Sequence, residues 1–233
     1  MTTEQRVRAE ALRLFATRGF EATGIRDIAR AAGISLATLY HYMDTKEDLL
    51  MSMLHEGMSA LLGLAEAELQ GVDDPAAQIA ALISVHVHRH GEHRRLHSLS
   101  DNEVRVRSLS PDRRAELVAL RDAYEAFWLR ALRLGVATGR FRVPDAKLAV
   151  YALLEMCTGV AHWYRPEGRL SLDEISSAFT EMAFALLHVQ PSEGPTPELG
   201  ALPPRVATTT GAEAGERTHP KAGSPPPAHG EGQ

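Results

Sequence analysis

The 233-residue chain is 44% hydrophobic, carries a formal net charge of -5 and has one cysteine, Cys157. That apolar content suffices for one or two folded domains, and a lone thiol excludes both a disulfide framework and a cysteine-rich zinc module. A net acidic balance argues against a protein that coats nucleic acid without specificity, while leaving room for a local basic patch. The opening MTTEQRVRAEALRLF shows no signal-peptide core, and no run reaches the roughly 18 apolar residues of a membrane span. A cytoplasmic protein with no membrane partner is expected.

The elements in chain order are nearly all helical. Val7, Ala11, Leu14 and Phe15 form a buried stripe that Gly19 stops. Thr23 is expected to cap a second short helix, from about Gly24 to Ala32, whose apolar side is Ile25, Ile28, Ala29 and Ala32. Gly33 permits a tight turn, and Ser35 caps a third helix of one to two turns ending near His41. Asp44 or Thr45 opens a fourth, over about 46–70, and Asp74-Pro75 a fifth to about His90. A short helix follows between Glu92 and Leu99. A long one opens at Ser110-Pro111 and runs to near Gly139. One apolar helix follows Pro144, and Ser171 with Glu174 forms a capping box for a last helix ending near Val189. From Pro191 onward lie nine of the chain's 13 prolines and no Phe, Trp or Tyr, so residues 191–233 are expected to be a disordered tail.

The second and third short helices, joined by AAGIS, have the shape of a helix-turn-helix. Ala29 and Ala32 are small enough for two helices to cross closely, and Ile34 and Leu39 anchor the third helix. Ser35, Ala37, Thr38 and His41 keep the other face slim, as a major groove about 12 Å wide requires. Tyr40, His41, Tyr42 and Lys46 cluster where hydroxyls, a ring nitrogen and an ammonium can reach phosphates. The same pattern also occurs in ordinary helical bundles, with Tyr40 as core. Residues 1–50 hold seven basic and seven acidic side chains, so charge adds little.

The stretch ALRLFATRGFEATGIRDIARAAGISLATLYHYMDTKEDLL resembles the N-terminal domain of TetR-family transcriptional regulators over roughly residues 5–51. The matching positions are Phe15, Gly19, Phe20, Ile28, Ala29, Ala32, Gly33, Ile34, Ser35, Leu39, Tyr40, Tyr42, Lys46 and Leu49. Gly24 and Met43 depart from the family's usual β-branched residue and Phe. The resemblance implies an all-α fold: an N-terminal three-helix helix-turn-helix domain (1–50) and a helical ligand-binding and dimerisation domain (51–190), about nine helices. It implies that Ser35 to His41 is the recognition helix, with Thr38, Tyr40, His41 and Lys46 on phosphates and Leu36 and Ala37 at base edges. Arg26 would add a phosphate or base contact. With no Arg, Asn or Gln on that helix, bidentate base reading from it is not expected. The partners implied are near-palindromic double-stranded operator DNA and a second copy of the chain.

The last two helices are apolar around most of their circumference, more than one small core can hide. Small residues Ala152, Gly159, Ser177, Ala178 and Ala185, with Glu155 beside them, point to a twofold four-helix interface; internal burial is the alternative. Residues 102–175 resemble the TetR branch related to the repressor of late cholesterol-ring catabolism and to some fatty-acid-degradation regulators. The shared positions are Glu103, Leu109, Pro111, Arg121, Asp122, Tyr124, Gly135, Gly139, Phe141, Asp145, Trp163, Tyr164, Pro166, Gly168, Leu170 and Ser171. The Asn usual before the Trp segment is absent, with Thr158 and Ala161 nearby.

That branch commonly senses acyl-CoA thioesters, which implies a repressor released by such an effector. The alternative is a multidrug or hydrophobic-ligand sensor without CoA recognition. An acyl chain needs an apolar tunnel, for which Leu62, Ile83, Val87, Leu99, Phe127, Leu154, Trp163 and Tyr164 are candidates, although ordinary core is the commoner role for each such residue. Arg89, Arg105, Arg107 and Arg121 are candidates for its mouth.

His86, His90, His93 and His97 are spaced to share one helix face, but Gly91 is expected to interrupt it. Partly exposed histidines, rather than a metal site, are the expectation, with pH sensitivity as another use. No cofactor is expected. The chain contains no G-x-S-x-G, H-E-x-x-H or phosphate-loop motif, and an all-helical enzyme or carrier is the remote alternative.

Overall fold

The computed structural model describes residues 1–100 and 109–191, with residues 98–100 described in backbone only. The candidates Arg105 and Arg107, the side chain of Leu99 and the tail from residue 192 lie outside the described residues. All described residues fall within one unit, Met1–Pro195. The described residues contain no strand and ten helices: α1 Thr3–Arg18, α2 Ile25–Ala32, α3 Leu36–Leu39, α4 Lys46–Leu69, α5 Pro75–Glu92, α6 Arg94–Ser100, α7 Pro111–Ala137, α8 Ala146–Thr158, α9 Val160–Trp163 and α10 Leu172–Leu186.

Local chemistry sets most of these ends. Thr2, Thr45 and Ser171 cap α1, α4 and α10 in reciprocal boxes with Gln5, Asp48 and Glu174. Asp74 and Asp145 cap α5 and α8 with single carboxylates. Two expectations need correction. Thr23 does not cap α2: its hydroxyl donates to the Gly19 carbonyl at 2.7 Å, and Gly24 is the cap, with its N–H on Asp27 Oδ2. Gly91 does stand at the end of α5, which closes at Glu92 with His93 as its cap, as expected. An added Cβ on Gly91 would come within 2.3 Å of Leu172, so its missing side chain also lets α10 approach. The apolar helix after Pro144 is two helices, stepping from α8 to α9 at Gly159, where the His162 N–H bonds the Gly159 carbonyl in an i+3 turn.

Two apolar cores result. The smaller gathers Phe15, Phe20, Ile28, Leu39, Leu50 and Leu54 from α1 to α4 and, from the far side of the sequence, Leu109 and Leu117. The larger is built on α4, α5, α7, α8 and α10 around Trp128, with Leu61, Ile79, Ile83, Leu132, Leu153 and Ile175. Each fully buried side chain of this size contributes roughly 1.5–3 kcal/mol. Helix α4 runs through both, and Leu120 of α7 packs against both. No helix among the described residues is long and apolar enough to cross a membrane.

Candidate nucleic-acid interface and ligand cavity

The N-terminal face is positioned by one glycine and one serine. Gly33 ends α2 in the left-handed region (φ 65°), and its N–H bonds the carbonyls of Ala29 and Arg30. Two residues on, Ser35 Oγ accepts from the Thr38 N–H at 3.0 Å and lies 2.7 Å from Thr38 Oγ1, starting α3. Helix α3 is a single turn, because the N–H groups of His41 and Tyr42 bond carbonyls only three residues back. Leu39 is buried and Leu36 half-buried against the smaller core. Ala37, Tyr40, His41 and Tyr42 are exposed, as are Arg26 and Arg30 of α2. Ser35 is exposed and Thr38 half-buried. Most of the sequence candidates around the Gly33 turn are therefore open to solvent, Tyr40 at 49% and Tyr42 at 40% exposed.

Lys46 stands apart from them. Its ammonium donates to the carbonyls of Phe20 at 2.9 Å, Glu21 at 3.3 Å and Thr23 at 3.4 Å, and it lies 4.4 Å from the Phe20 ring centroid. The side chain is only 24% exposed. The structure uses this charge to tie the α1–α2 turn to the start of α4. Phosphate contact alone does not account for a lysine there.

A cavity of about 840 Å³ is an open groove between the ends of α4 and α7, lined by Leu69, Gln70, Gln78, Phe127, Arg130 and Leu134, with Gly63, Glu66 and Ala67 completing the wall. The Arg130 guanidinium sits 4.6 Å from the centroid of the Phe127 ring. A second cavity, about 340 Å³, lies between α1, α4, α5 and α6 and is lined in part by Arg8, Glu56, Arg89 and His93; Arg89 Nη1 is 2.8 Å from His93 Nε2.

Of the described sequence candidates, Phe127 lines the first cavity and Arg89 the second. Ile83 and Val87 are fully buried in the larger core, with Leu62, Leu154 and Tyr164 packed against it. Trp163 is 48% exposed and packs edge-on against Phe179. Arg121 is exposed. Arg130, Gln70 and Gln78 escaped sequence reasoning, because nothing periodic separates a groove-lining polar side chain from a solvated one.

Of the four histidines expected to be partly exposed, His93 is exposed and lines the second cavity, whereas the other three are buried. His86, His90 and His97 are each at most 4% exposed and stack ring on ring, at 3.9 Å and 3.8 Å between centroids. His86 shares hydrogen bonds with the Tyr124 hydroxyl (3.1 Å) and Thr158 hydroxyl (3.0 Å), and His90 Nδ1 bonds the His86 carbonyl. Burial lowers all three pKa values, His90 to about 4 and His97 to about 2, so the column is uncharged at neutral pH. Among the described residues no group of three His, Cys, Asp or Glu side chains is placed to hold a metal. Burial also raises the pKa of the Cys157 thiol, which suits an inert core residue.

Helices α8 and α10 expose apolar side chains: Leu148, Tyr151, Met182 and Leu186 are 43–65% exposed. Ala152, Glu155, Ser177 and Ala185 are exposed among them, and Gly159 and Ala178 are half-buried.

Comparison with known proteins agrees with this architecture. Residues 7–53 match the family of bacterial regulatory proteins, tetR family, and residues 72–187 match the tetracyclin repressor-like, C-terminal domain. The HTH-type transcriptional repressor KstR2 of Rhodococcus jostii is 30% identical over 170 residues, 72% of this chain and 83% of that protein. The TetR family regulator PfmR of Thermus thermophilus superimposes with a TM-score of 0.69 at 31% identity, over 80% of this chain and all of that one. AibR, solved with isovaleryl coenzyme A and operator DNA, shares the fold at TM-score 0.70 and 23% identity, over 81% of this chain and all of that one. The chain belongs to the TetR family of bacterial regulatory proteins and is related to the KstR2 repressors.

Proposed function

We propose that the protein is a homodimeric repressor that leaves its operator when an acyl-CoA thioester of lipid or steroid catabolism binds the helical domain. The observation that carries the DNA-binding part is the exposed face of Arg26, Ala37, Tyr40, His41 and Tyr42 beside the Gly33 turn. Exposed hydroxyls and a ring nitrogen there suit contacts to phosphate oxygens. Residues 1–50 are assigned to DNA binding and residues 51–190 to effector binding and dimerisation. The exposed apolar side chains of α8 and α10 supply a self-complementary twofold interface, which presents two α3 helices to a near-palindrome. Arg26 is assigned base or phosphate reading, and its replacement by Ala should reduce discrimination between operator and scrambled DNA.

The effector is assigned to the groove between α4 and α7. Leu69, Phe127 and Leu134 suit an apolar chain; Arg130 and the two glutamines suit the polar remainder of a thioester. The relation to KstR2 and the isovaleryl coenzyme A held by AibR favour a CoA thioester. The test is operator release. The dimer is bound to the DNA upstream of its own gene at fixed salt and titrated with acyl-CoA thioesters, free acids and free CoA. Release by one thioester but not by its acid supports the assignment. Release only by uncharged hydrophobic compounds replaces it with a sensor that does not recognise CoA.

A further inference from the structure

Helix α7 opens more than sixty residues after the start of α4, yet its first turns belong to the N-terminal core. Leu109 and Leu117 are each 3% exposed and pack with Leu50 and Leu54 in the smaller core. Between them, the Arg113 guanidinium bonds Asp48 Oδ1, and the Ser110 N–H donates to Glu47 Oε1 at 2.8 Å. Asp48 is already committed at its other oxygen, where Oδ2 accepts from the Thr45 N–H at 3.1 Å and the Thr45 hydroxyl at 2.7 Å. One carboxylate thus closes the N-terminal cap of α4 and receives α7. The residue between cap and carboxylate pair is Lys46, whose ammonium grips the α1–α2 turn. The exposed Tyr40, His41 and Tyr42 immediately precede this junction.

The far end of the same helix lines the 840 Å³ groove with Phe127, Arg130 and Leu134. Seventeen residues separate Arg113 from Arg130, about 26 Å at 1.5 Å per residue. Helix α7 is therefore a rod with the groove at one end and the DNA-facing unit at the other. We propose that Arg113, seated between Leu109 and Leu117, is a positioning residue for operator recognition: it latches α7 to Asp48 and sets the stance of the DNA-facing unit, and so the separation of the two units in a dimer. This rests on the dimeric repressor reading above. Arg113 touches no DNA in this scheme; it acts through Asp48 and Thr45.

The experiment compares full and half operators. A palindromic site is selected from random duplexes by the purified protein. Duplexes are then made with its two half-sites moved apart or together by one and two base pairs, and one duplex carries a single half-site. The wild-type dimer should show one preferred spacing. Arg113→Ala should bind the single half-site as wild type does but lose preference among spacings. A half-exposed ion pair is worth up to about fivefold in an equilibrium, and the dimer holds two. Arg113→Lys, which keeps the charge, should recover part of the preference. An unchanged spacing profile in Arg113→Ala overturns the latch. Equal losses on half and full sites also overturn it, since a merely structural residue would weaken both. Failure of the wild type to prefer a two-half-site duplex removes the dimeric operator reading itself, and the latch with it.

Discussion

Replacing Lys46 by Met separates two roles that the sequence and the structure assign to one ammonium. Methionine keeps the aliphatic stem and its packing while removing the charge. The lost contacts are three charge-assisted hydrogen bonds, of which only the 2.9 Å bond to the Phe20 carbonyl has ideal length, and the charge near the Phe20 ring. The Glu21 carboxylate at 3.9 Å is 74% exposed and adds little. Hydrogen bonds to a charged donor contribute about 1.5–3 kcal/mol, so about 2 kcal/mol is a fair expectation. At about 2–4 °C per kcal/mol for a domain of this size, Tm should fall by about 4–8 °C. Thermal denaturation followed by circular dichroism measures this directly. Operator affinity across a salt series reports the other role. Each phosphate contact contributes about 0.9 to the slope of log K against log salt, so losing one in each protomer would lower it by about 1.8. The structural argument predicts a large Tm shift and a nearly unchanged slope. A variant with wild-type Tm and a slope reduced by nearly two would refute the clamp and make Lys46 a phosphate ligand.

The histidine column predicts acid sensitivity. Folded-state pKa values below the unfolded value of about 6.5 mean that stability is complete above that pH and falls below it, as the unfolded chain takes up protons that the folded one refuses. The decline continues toward pH 4, where His90 begins to titrate in the fold, at about 1.4 kcal/mol per pH unit for each histidine involved. Urea midpoints that stay level from pH 7 to pH 5 would show that the column is not buried as described. Gly135→Ala should destabilise despite alanine's better helix propensity: its Cβ would lie 2.1 Å from the buried Phe141 ring, a misfit costing about 1–3 kcal/mol, and an unchanged or raised Tm would contradict that packing. Met182→Glu, at a position 57% exposed, should leave the circular dichroism spectrum intact while shifting the species seen by light scattering from dimer to monomer; a persistent dimer would place the interface elsewhere.

Apart from the α2 cap and the step between α8 and α9, the amino-acid sequence alone determines the helices, their caps and the DNA-facing motif, because these depend on neighbours within four residues. Ser35 two residues after Gly33, Asp74 before Pro75, and Ser171 three before Glu174 act through local hydrogen bonds and backbone preference. Tertiary structure decides everything that depends on which helix lies opposite. Gly91 reads only as a helix end, and the structure adds that Leu172 fills the space of its missing side chain. His86, His90 and His97 read as a polar stripe until α7 and α8 close over them with Tyr124 and Thr158. Lys46 reads only as a phosphate ligand in the sequence, and only the fold brings the carbonyls of a turn some twenty-five residues earlier around its ammonium. Leu109 and Leu117 carry an ordinary apolar period, and no local signal says that they complete a core built from the first fifty-odd residues. Hydrophobic burial has no direction along the chain, so periodicity reveals which face is buried but not the partner that buries it.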